Sequence, residues 1–265
     1  MDERLLESLR RARHVAVLTG AGVSAESGLP TFRDALTGLW ARYRPEDLAT
    51  PEAFERNPAL VWGWYRMRRE GVLRAEPNPA HLALTRLQDL VPRFTLITQN
   101  VDGLHRRAGS RAVVELHGDI TRVRCTREGV LAAEWVEPEP GGEPPKCDGC
   151  GAYLRPDVVW FGEALPDKAL HQARAAVQDC GVFLAVGTSN MVEPAASLPW
   201  LAAARGAVVA VVNTTMEGQR QGPGVHHLTG LAGEVLPGLL EAAWPGAGGV
   251  GRSEPLPYIP RPEAR

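Results

Sequence analysis

Thr19-Gly20-Ala21-Gly22-Val23-Ser24-Ala25-Glu26-Ser27-Gly28-Leu29-Pro30-Thr31-Phe32-Arg33-Asp34 follows directly on an apolar run, Val15-Ala16-Val17-Leu18. The run reads as a short buried strand. Gly20-x-Gly22-x-x-Ala25 then fits the glycine-rich turn of a dinucleotide-binding βα unit. Glycine suits that turn because the backbone must bend tightly and approach a pyrophosphate closely. Amides beyond it can point at phosphate oxygens from a helix start. The same residues also make an ordinary tight strand-to-helix turn, so the motif by itself leaves both readings open. A nicotinamide dehydrogenase would further need a second strand ending in Asp or Glu about twenty residues on, to hold the ribose. Here Leu39-Trp40-Ala41-Arg42-Tyr43-Arg44-Pro45-Glu46-Asp47-Leu48 is aromatic, charged and broken by proline. A nucleotide bound by this turn is therefore held and used differently.

The chain has 265 residues, 44% hydrophobic and 23% charged, enough for one large domain or a large one with a smaller insert. A net charge of -2 gives no basic footprint for nucleic acid. No apolar run approaches the roughly 20 residues of a membrane helix. The N-terminus, Met1-Asp2-Glu3-Arg4, lacks a signal peptide's apolar core. Four cysteines, two of them in Cys147-x-x-Cys150, fit a reducing compartment and a metal knuckle better than disulfides. The chain thus reads as a cytoplasmic monomer without nucleic-acid or membrane partners.

Leu5, Leu6 and Leu9 share one face of an amphipathic helix expected over 3–13. Residues 35–75 hold no convincing strand, and their best helix runs from about Pro58 to Ala75. Another helix is expected over 80–90. Strands are expected at 94–98, 112–116, 182–186 and 207–212, with a strand or extended segment at 157–162. Helices are expected at 168–179, 195–205 and 236–244. Residues 121–156 change character: they carry three cysteines and the loop-like run Glu137-Pro138-Glu139-Pro140-Gly141-Gly142-Glu143-Pro144-Pro145. The Gly- and Pro-rich tail from Pro245 is expected to be loose. Alternating strands and helices predict an α/β fold, a doubly wound, mostly parallel sheet with helices on both faces. Ligands bind such sheets beyond the carboxyl ends of the strands. Gly20–Ser24, Gln99–Asp102, His117, Gly187–Ser189 and Asn213 all fall at such ends, which points to one shared site.

At this level of detail the sequence resembles the sirtuins, the NAD-dependent protein deacylases. The matching phrases are Gly20-Ala21-Gly22-x-Ser24-x-x-Ser27-Gly28-x-Pro30-x-Phe32-Arg33, Thr98-Gln99-Asn100-Val101-Asp102-Gly103-Leu104-His105 and Glu115-Leu116-His117-Gly118. Arg155-Pro156-x-Val158-Val159-Trp160-Phe161-Gly162-Glu163 and Gly187-Thr188-Ser189 complete the set. The resemblance implies a Rossmann-like domain over 1–34, 76–120 and 157–245. It implies a small domain, a helical module plus a zinc ribbon, over 35–75 and 121–156, with 246–265 as a tail.

It also implies a reaction. Such enzymes consume NAD: the acyl-lysine carbonyl oxygen attacks C1′ of the nicotinamide ribose and nicotinamide leaves. A histidine accepts a proton from a ribose hydroxyl, which attacks the new intermediate. Water then releases free lysine and an O-acyl-ADP-ribose. His117 matches the base, a role that suits imidazole because its ordinary pKa lies near working pH. Asn100 and Asp102 match residues that orient nicotinamide, ribose and a water. Gly20, Ala21, Gly22, Ser24, Phe32, Arg33 and Gln99 match further cofactor contacts. Gly187, Thr188, Ser189, Asn213, Thr214 and Thr215 match phosphate and adenosine-ribose contacts. Ala232 falls where the family's backbone lies against the adenine. His81, in a recurrent Pro-Asn-x-Ala-His phrase, is expected to be structural. The substrate peptide would be held as an added strand between Val159–Glu163, including Phe161 and Gly162, and Asn190–Glu193, with little choice of sequence.

The zinc ribbon of this family normally uses two Cys-x-x-Cys pairs, a tetrahedral set of four thiolates. Here Cys147 and Cys150 form one pair, but Cys125-Thr126-Arg127-Glu128 has glutamate in place of the second cysteine of the other. Glu128 could supply an oxygen, or the site could be weak or empty. Either way zinc through Cys125, Cys147 and Cys150 would be structural. Cys180, next to the 182–186 strand, reads as a small core residue.

Tyr65 and Arg68 lie three apart on one face of the 58–75 helix. Read alone, they are a core aromatic and part of a basic solvated face. The phrase Phe54-x-x-x-Pro58-x-x-Val61-Trp62-x-x-Tyr65-x-x-Arg68-Arg69-Glu70 resembles the bacterial class III branch, which removes succinyl and malonyl groups. There a guanidinium can take a distal carboxylate while a phenol donates one more bond. The expected function is an NAD-dependent protein-lysine deacylase preferring succinyl over acetyl. The competing readings are a non-catalytic NAD or ADP-ribose sensor and a mono-ADP-ribosyltransferase on the same fold.

Overall fold

The computed structural model describes residues 2–30, 43–44, 47–215, 222 and 224–246. Its strands are β1 (His14–Thr19), β2 (Arg93–Thr98), β3 (Val113–Glu115), β4 (Gly118–Cys125), β5 (Leu154–Val158), β6 (Val182–Val186), β7 (Val208–Asn213) and β8 (Val225–Thr229). Six of them form one sheet in the order β3-β2-β1-β6-β7-β8, and every neighbouring pair is parallel. All six residues of β1 and all five of β6 are buried. Parallel sheets demand this, because helices cover both faces and alternation is lost.

Three helices cover one face: α1 (Glu3–Arg11), α4 (Pro79–Leu90) and α8 (Ala232–Ala243). Leu5, Leu9, Leu84, Leu87, Leu236 and Leu239 meet Val15, Val17 and Leu184 there. On the other face α6 (Asp167–Asp179) and α7 (Leu198–Ala204) bring Val177 and Leu198 against Ala16, Leu18 and Phe183. Cys180 belongs to this second core, as its position in the sequence suggests.

The remaining elements have cores of their own. α2 (Pro51–Arg56) and α3 (Pro58–Arg74) are separate because Asn57-Pro58 ends one and starts the next. Asn57 caps α3 by accepting from the Leu60 amide, with proline at the first turn where its missing N–H is harmless. Val61, Trp64, Tyr65 and Val72 of α3 pack with Leu48, Phe54, Ile120, Val158 and Trp160. Trp62 packs with Val123, Cys125 and Leu154.

The fold departs from expectation in several places. β5 begins at Leu154 and is antiparallel to β4, outside the main sheet. The extended segment expected to reach 162 stops at Val158, because Gly162 sits at φ 86° and the Glu163 amide turns back to the Trp160 carbonyl. β4 was not visible as alternation, since its register shifts between Asp119 and Val123. β8, interrupted by two histidines, and the single turn α5 (Leu104–Arg107) were also missed. The glycine turn opens onto two 3₁₀ turns, Ala21–Val23 and Ala25–Ser27, rather than a regular α-helix. The last helix starts at Ala232, four residues early. Phe32, Arg33 and the tail beyond 246 lie outside the described residues.

Candidate active site

The sheet order reverses between β1 and β6, the switch point at which such sheets bind ligands. Three glycines meet there. The Gly22 amide donates to the Gly187 carbonyl at 2.8 Å, and a Cβ on Gly20 or Gly22 would stand 2.8 Å from Gly187 atoms. Gly187 itself holds φ 60°, and its Cβ would stand 2.4 Å from the Val23 nitrogen. Ala21 lies in the first 3₁₀ turn.

A chain of hydrogen bonds runs from this turn along the strand ends. Asn100 Nδ2 donates to the Gly20 carbonyl and to Ser24 Oγ, both at 3.1 Å. Ser24 Oγ donates to Asp102 Oδ2 at 2.7 Å, and the Leu104 amide takes Oδ1 at 2.9 Å. Burial pushes the Asp102 carboxyl up, and these two bonds oppose the push. Gln99 Nε2 donates to Thr188 Oγ1 at 3.0 Å, and Asn213 Nδ2 donates to the Thr188 carbonyl at 3.0 Å. Ser189, Thr214 and Thr215 follow at the exposed ends of their strands. Ala232 opens α8, whose next amide, Gly233, donates to Glu26 beside the glycine turn at 2.7 Å.

His117 Nδ1 lies 2.9 Å from the Gln99 carbonyl oxygen. A carbonyl can only accept, so Nδ1 carries the hydrogen and Nε2 keeps its lone pair. Burial holds the imidazole below its ordinary 6.5, and the bond to Gln99 only partly offsets this. The result is a neutral base of fixed tautomer.

Two buried histidines were not given a place in the site from sequence. The Asn78 amide donates to His81 Nδ1 at 3.3 Å, so His81 turns an N–H toward Ser24 Oγ, 3.5 Å away. Its ring centroid lies 4.8 Å from that of His105, the two rings inclined at 53°, and His105 bonds Thr19 at 2.9 Å. Burial drops His81 to about 4 and His105 to about 3, so both are neutral at working pH. The Pro-Asn-x-Ala-His phrase and the histidine in Asp102-Gly103-Leu104-His105 were the available signals.

Tyr65 and Arg68 lie on α3, outside the six-stranded sheet. Tyr65 is in the core of the α3 region, and Arg68 is half-buried with its guanidinium 4.7 Å from the Trp64 ring. Burial lowers the Arg68 guanidinium, while Tyr65 and Asp102 pull it back up. The Val159 amide donates to the His117 carbonyl and the Phe161 amide to the Ala49 carbonyl, both at 2.9 Å. The Phe161 side chain is left exposed, and Gly162 sits in the turn after it.

Residues 20–194 match the Sir2 family. The chain belongs to the Sir2 family. This Sir2-family chain is 54% identical over 251 residues to NAD-dependent protein deacylase 1 of Pseudomonas aeruginosa, covering 91% of this chain and 99% of that protein. It is 53% identical to an NAD-dependent protein deacylase of Methylococcus capsulatus, over 91% of this chain and 96% of that one. Among solved structures it is similar to a Sir2 homologue in complex with NAD, with a TM-score of 0.81, 44% identity and coverage of 92% and 94%. It is also similar to a Sir2 protein bound to a myristoylated histone peptide, with a TM-score of 0.72, 37% identity and coverage of 91% and 95%.

The cysteine cluster lies apart from the switch point, on the β4–β5 unit. One donor atom each from Cys125, Glu128, Cys147 and Cys150 lie within 4.8 Å of one another, and Cys125 and Cys150 sulfurs are 3.4 Å apart. Three sulfurs and one carboxylate oxygen so clustered fit a tetrahedral zinc site. The Glu128 amide also donates to Cys125 Sγ at 3.4 Å, so Glu128 serves the cluster through its backbone as well. No helix among the described residues is long and apolar enough to cross a membrane.

Proposed function

We propose that this chain is an NAD-dependent protein-lysine deacylase that prefers succinyl- and malonyl-lysine and retains deacetylase activity. One observation carries the catalytic part: His117 is held as an Nδ1–H tautomer by the carbonyl of Gln99, the residue directly before Asn100, whose side chain opens the series to Ser24 and Asp102. NAD, lying across the glycine turn and strand ends, would leave its nicotinamide ribose toward Asn100, Asp102 and His117. His117 Nε2 then accepts the ribose hydroxyl proton as that hydroxyl attacks the acyl carbon. Gln99, Thr188, Ser189, Asn213, Thr214, Thr215 and Ala232 would hold phosphates, ribose and adenine, and the family motif adds Phe32 and Arg33 as cofactor contacts. An acyl-lysine peptide pairs with Val159, Phe161 and Gly162. The two-unit division over 1–34, 76–120, 157–245 and 35–75, 121–156 belongs to the same proposal, as do a monomeric state and a cytoplasmic location. The test is nicotinamide release with and without an acyl-lysine peptide. Release that depends on the peptide is expected. Release that ignores it favours an ADP-ribosyltransferase, and none in either case favours an NAD sensor.

Support for the acyl preference comes from the shared helix face of Tyr65 and Arg68, with the Arg68 guanidinium 5.7 Å from the centroid of the Tyr65 ring. A charge-assisted pair to a distal carboxylate contributes about 1.5–3 kcal/mol, roughly ten- to a hundredfold in selectivity. Acetyl-lysine is small enough to enter but gains nothing. Arg68→Met is therefore expected to lower desuccinylation by about tenfold or more while sparing deacetylation. Equal losses on both peptides would return Arg68 to a surface role.

Zinc would be held by Cys125, Cys147 and Cys150 with Glu128 in the fourth place, and would supply a structural cross-link and no step of the reaction. One zinc per chain is expected by elemental analysis of protein purified without chelator. Loss of both Cys147 and Cys150 should remove it. Zinc content unchanged by that double substitution would refute the ligand set.

A further inference from the structure

Tyr65 is 1% exposed, and its hydroxyl is satisfied by one neighbour far along the chain. The Trp160 indole Nε1–H donates to Tyr65 Oη at 3.0 Å. An indole nitrogen can only donate, whereas a phenol can donate or accept. The bond therefore has one direction: Tyr65 accepts, and its own hydrogen must point elsewhere. Among the described residues no acceptor is bonded to that hydrogen. Burial pushes the phenol up to about 12, so the hydrogen is present at working pH.

Trp160 is held from three sides. The Arg155 guanidinium stacks 3.3 Å from the centroid of its ring, and Phe54 packs at 5.4 Å. Arg155 bonds both oxygens of Glu163 and donates to the Val158 carbonyl at 2.9 Å. Glu163 Oε2 in turn accepts the Trp160 backbone amide at 2.7 Å. Burial alone would raise the Glu163 carboxyl, but the Arg155 and Trp160 bonds outweigh it and keep the carboxylate charged. The indole N–H has no freedom to swing away from Tyr65.

We propose that Trp160 is a positioning residue for acyl selectivity: it commits the Tyr65 hydroxyl to donating. With Arg68, which has no acceptor atom, the pair then presents the Tyr65 hydrogen and the guanidinium N–H groups as donors. It favours an acyl chain that ends in acceptors, a carboxylate, over one that ends in a methyl group or carries a terminal donor. This rests on the reading of Tyr65 and Arg68 as the acyl clamp.

The test measures kcat and KM on succinyl- and acetyl-lysine peptides at saturating NAD. The proteins are wild type, Trp160→Phe, Tyr65→Phe and the double variant. A neutral hydrogen bond predicts that Trp160→Phe lowers the succinyl-to-acetyl ratio of kcat/KM about three- to tenfold, whatever it does to both peptides in common. In the Tyr65→Phe background, Trp160→Phe should add nothing to the succinyl-to-acetyl ratio. Replacing Trp160 by 3-benzothienylalanine, which puts sulfur where the indole N–H stands, repeats the test without opening a cavity. Thermal melts check that each variant folds. A succinyl preference that survives both Trp160 replacements overturns this proposal alone, as does an undiminished Trp160 effect without the Tyr65 hydroxyl. No succinyl preference in wild type overturns the clamp itself, and this proposal with it.

Discussion

His117→Tyr is expected to abolish deacylation while leaving the fold and much of the NAD affinity in place. A phenol in this position has no neutral lone pair basic enough to accept the ribose proton, and loss of a positioned general base costs about 10²–10⁴-fold in rate. His117 is half-buried at the end of β3 and makes one bond through its side chain, to the Gln99 carbonyl, so little of the core depends on it. Turnover with saturating NAD and peptide, together with NAD binding by calorimetry, checks both parts. Substantial residual turnover would remove His117 from the base role. The wild type carries a second signature of the same group. Burial holds this imidazole under 6.5, so it is neutral at pH 7 and is protonated only below that value. The acid limb of kcat/KM, which reports the free enzyme, should therefore lie below 6.5, with activity lost as pH falls through it. A limb above 7 would contradict the environment described for His117.

Gly187→Ala is expected to be the most damaging single-methyl change among the three glycines that meet at the switch point. Its φ of 60° is left-handed, which costs an L-residue about 1–2 kcal/mol. The new Cβ would also stand 2.4 Å from the Val23 backbone nitrogen, a contact no side chain can relieve by rotating. Overpacking of this kind costs about 1–3 kcal/mol more. The sum, about 2–5 kcal/mol, corresponds to about 2–4 °C of melting temperature per kcal/mol in a chain of this size. The strain falls on the turn that faces the pyrophosphate, so KM for NAD should rise more than KM for peptide. Thermal melting and separate NAD and peptide titrations test this. A variant with wild-type melting and unchanged NAD affinity would show that the Gly22–Gly187 contact yields easily.

Much of this arrangement was legible in the chain itself. Val15–Leu18, Phe94–Thr98, Val182–Val186 and Ala207–Val212 are apolar runs short enough to be strands, and all four lie in the parallel sheet. Polar residues directly after them marked Gln99, Asn100, Asp102 and Gly187–Ser189, because a strand's end is a local property of sequence. Cys180 was readable as core for the same reason. Pairing was not readable. β4 and β5 find each other across some thirty intervening residues, and a register shift in β4 erases the alternation that would betray it. Ser24 reaches Asp102 across 78 positions, Trp160 reaches Tyr65 across 95, and Glu128 joins three thiolates. Spacing along a chain reports which residues share a face of their own element. It carries no information on which distant side chain that face meets, or on which partner donates. The family motifs could therefore name Tyr65, but only packing sets the direction of its hydrogen bond, because the donor-only indole that decides it comes from the other side of the core.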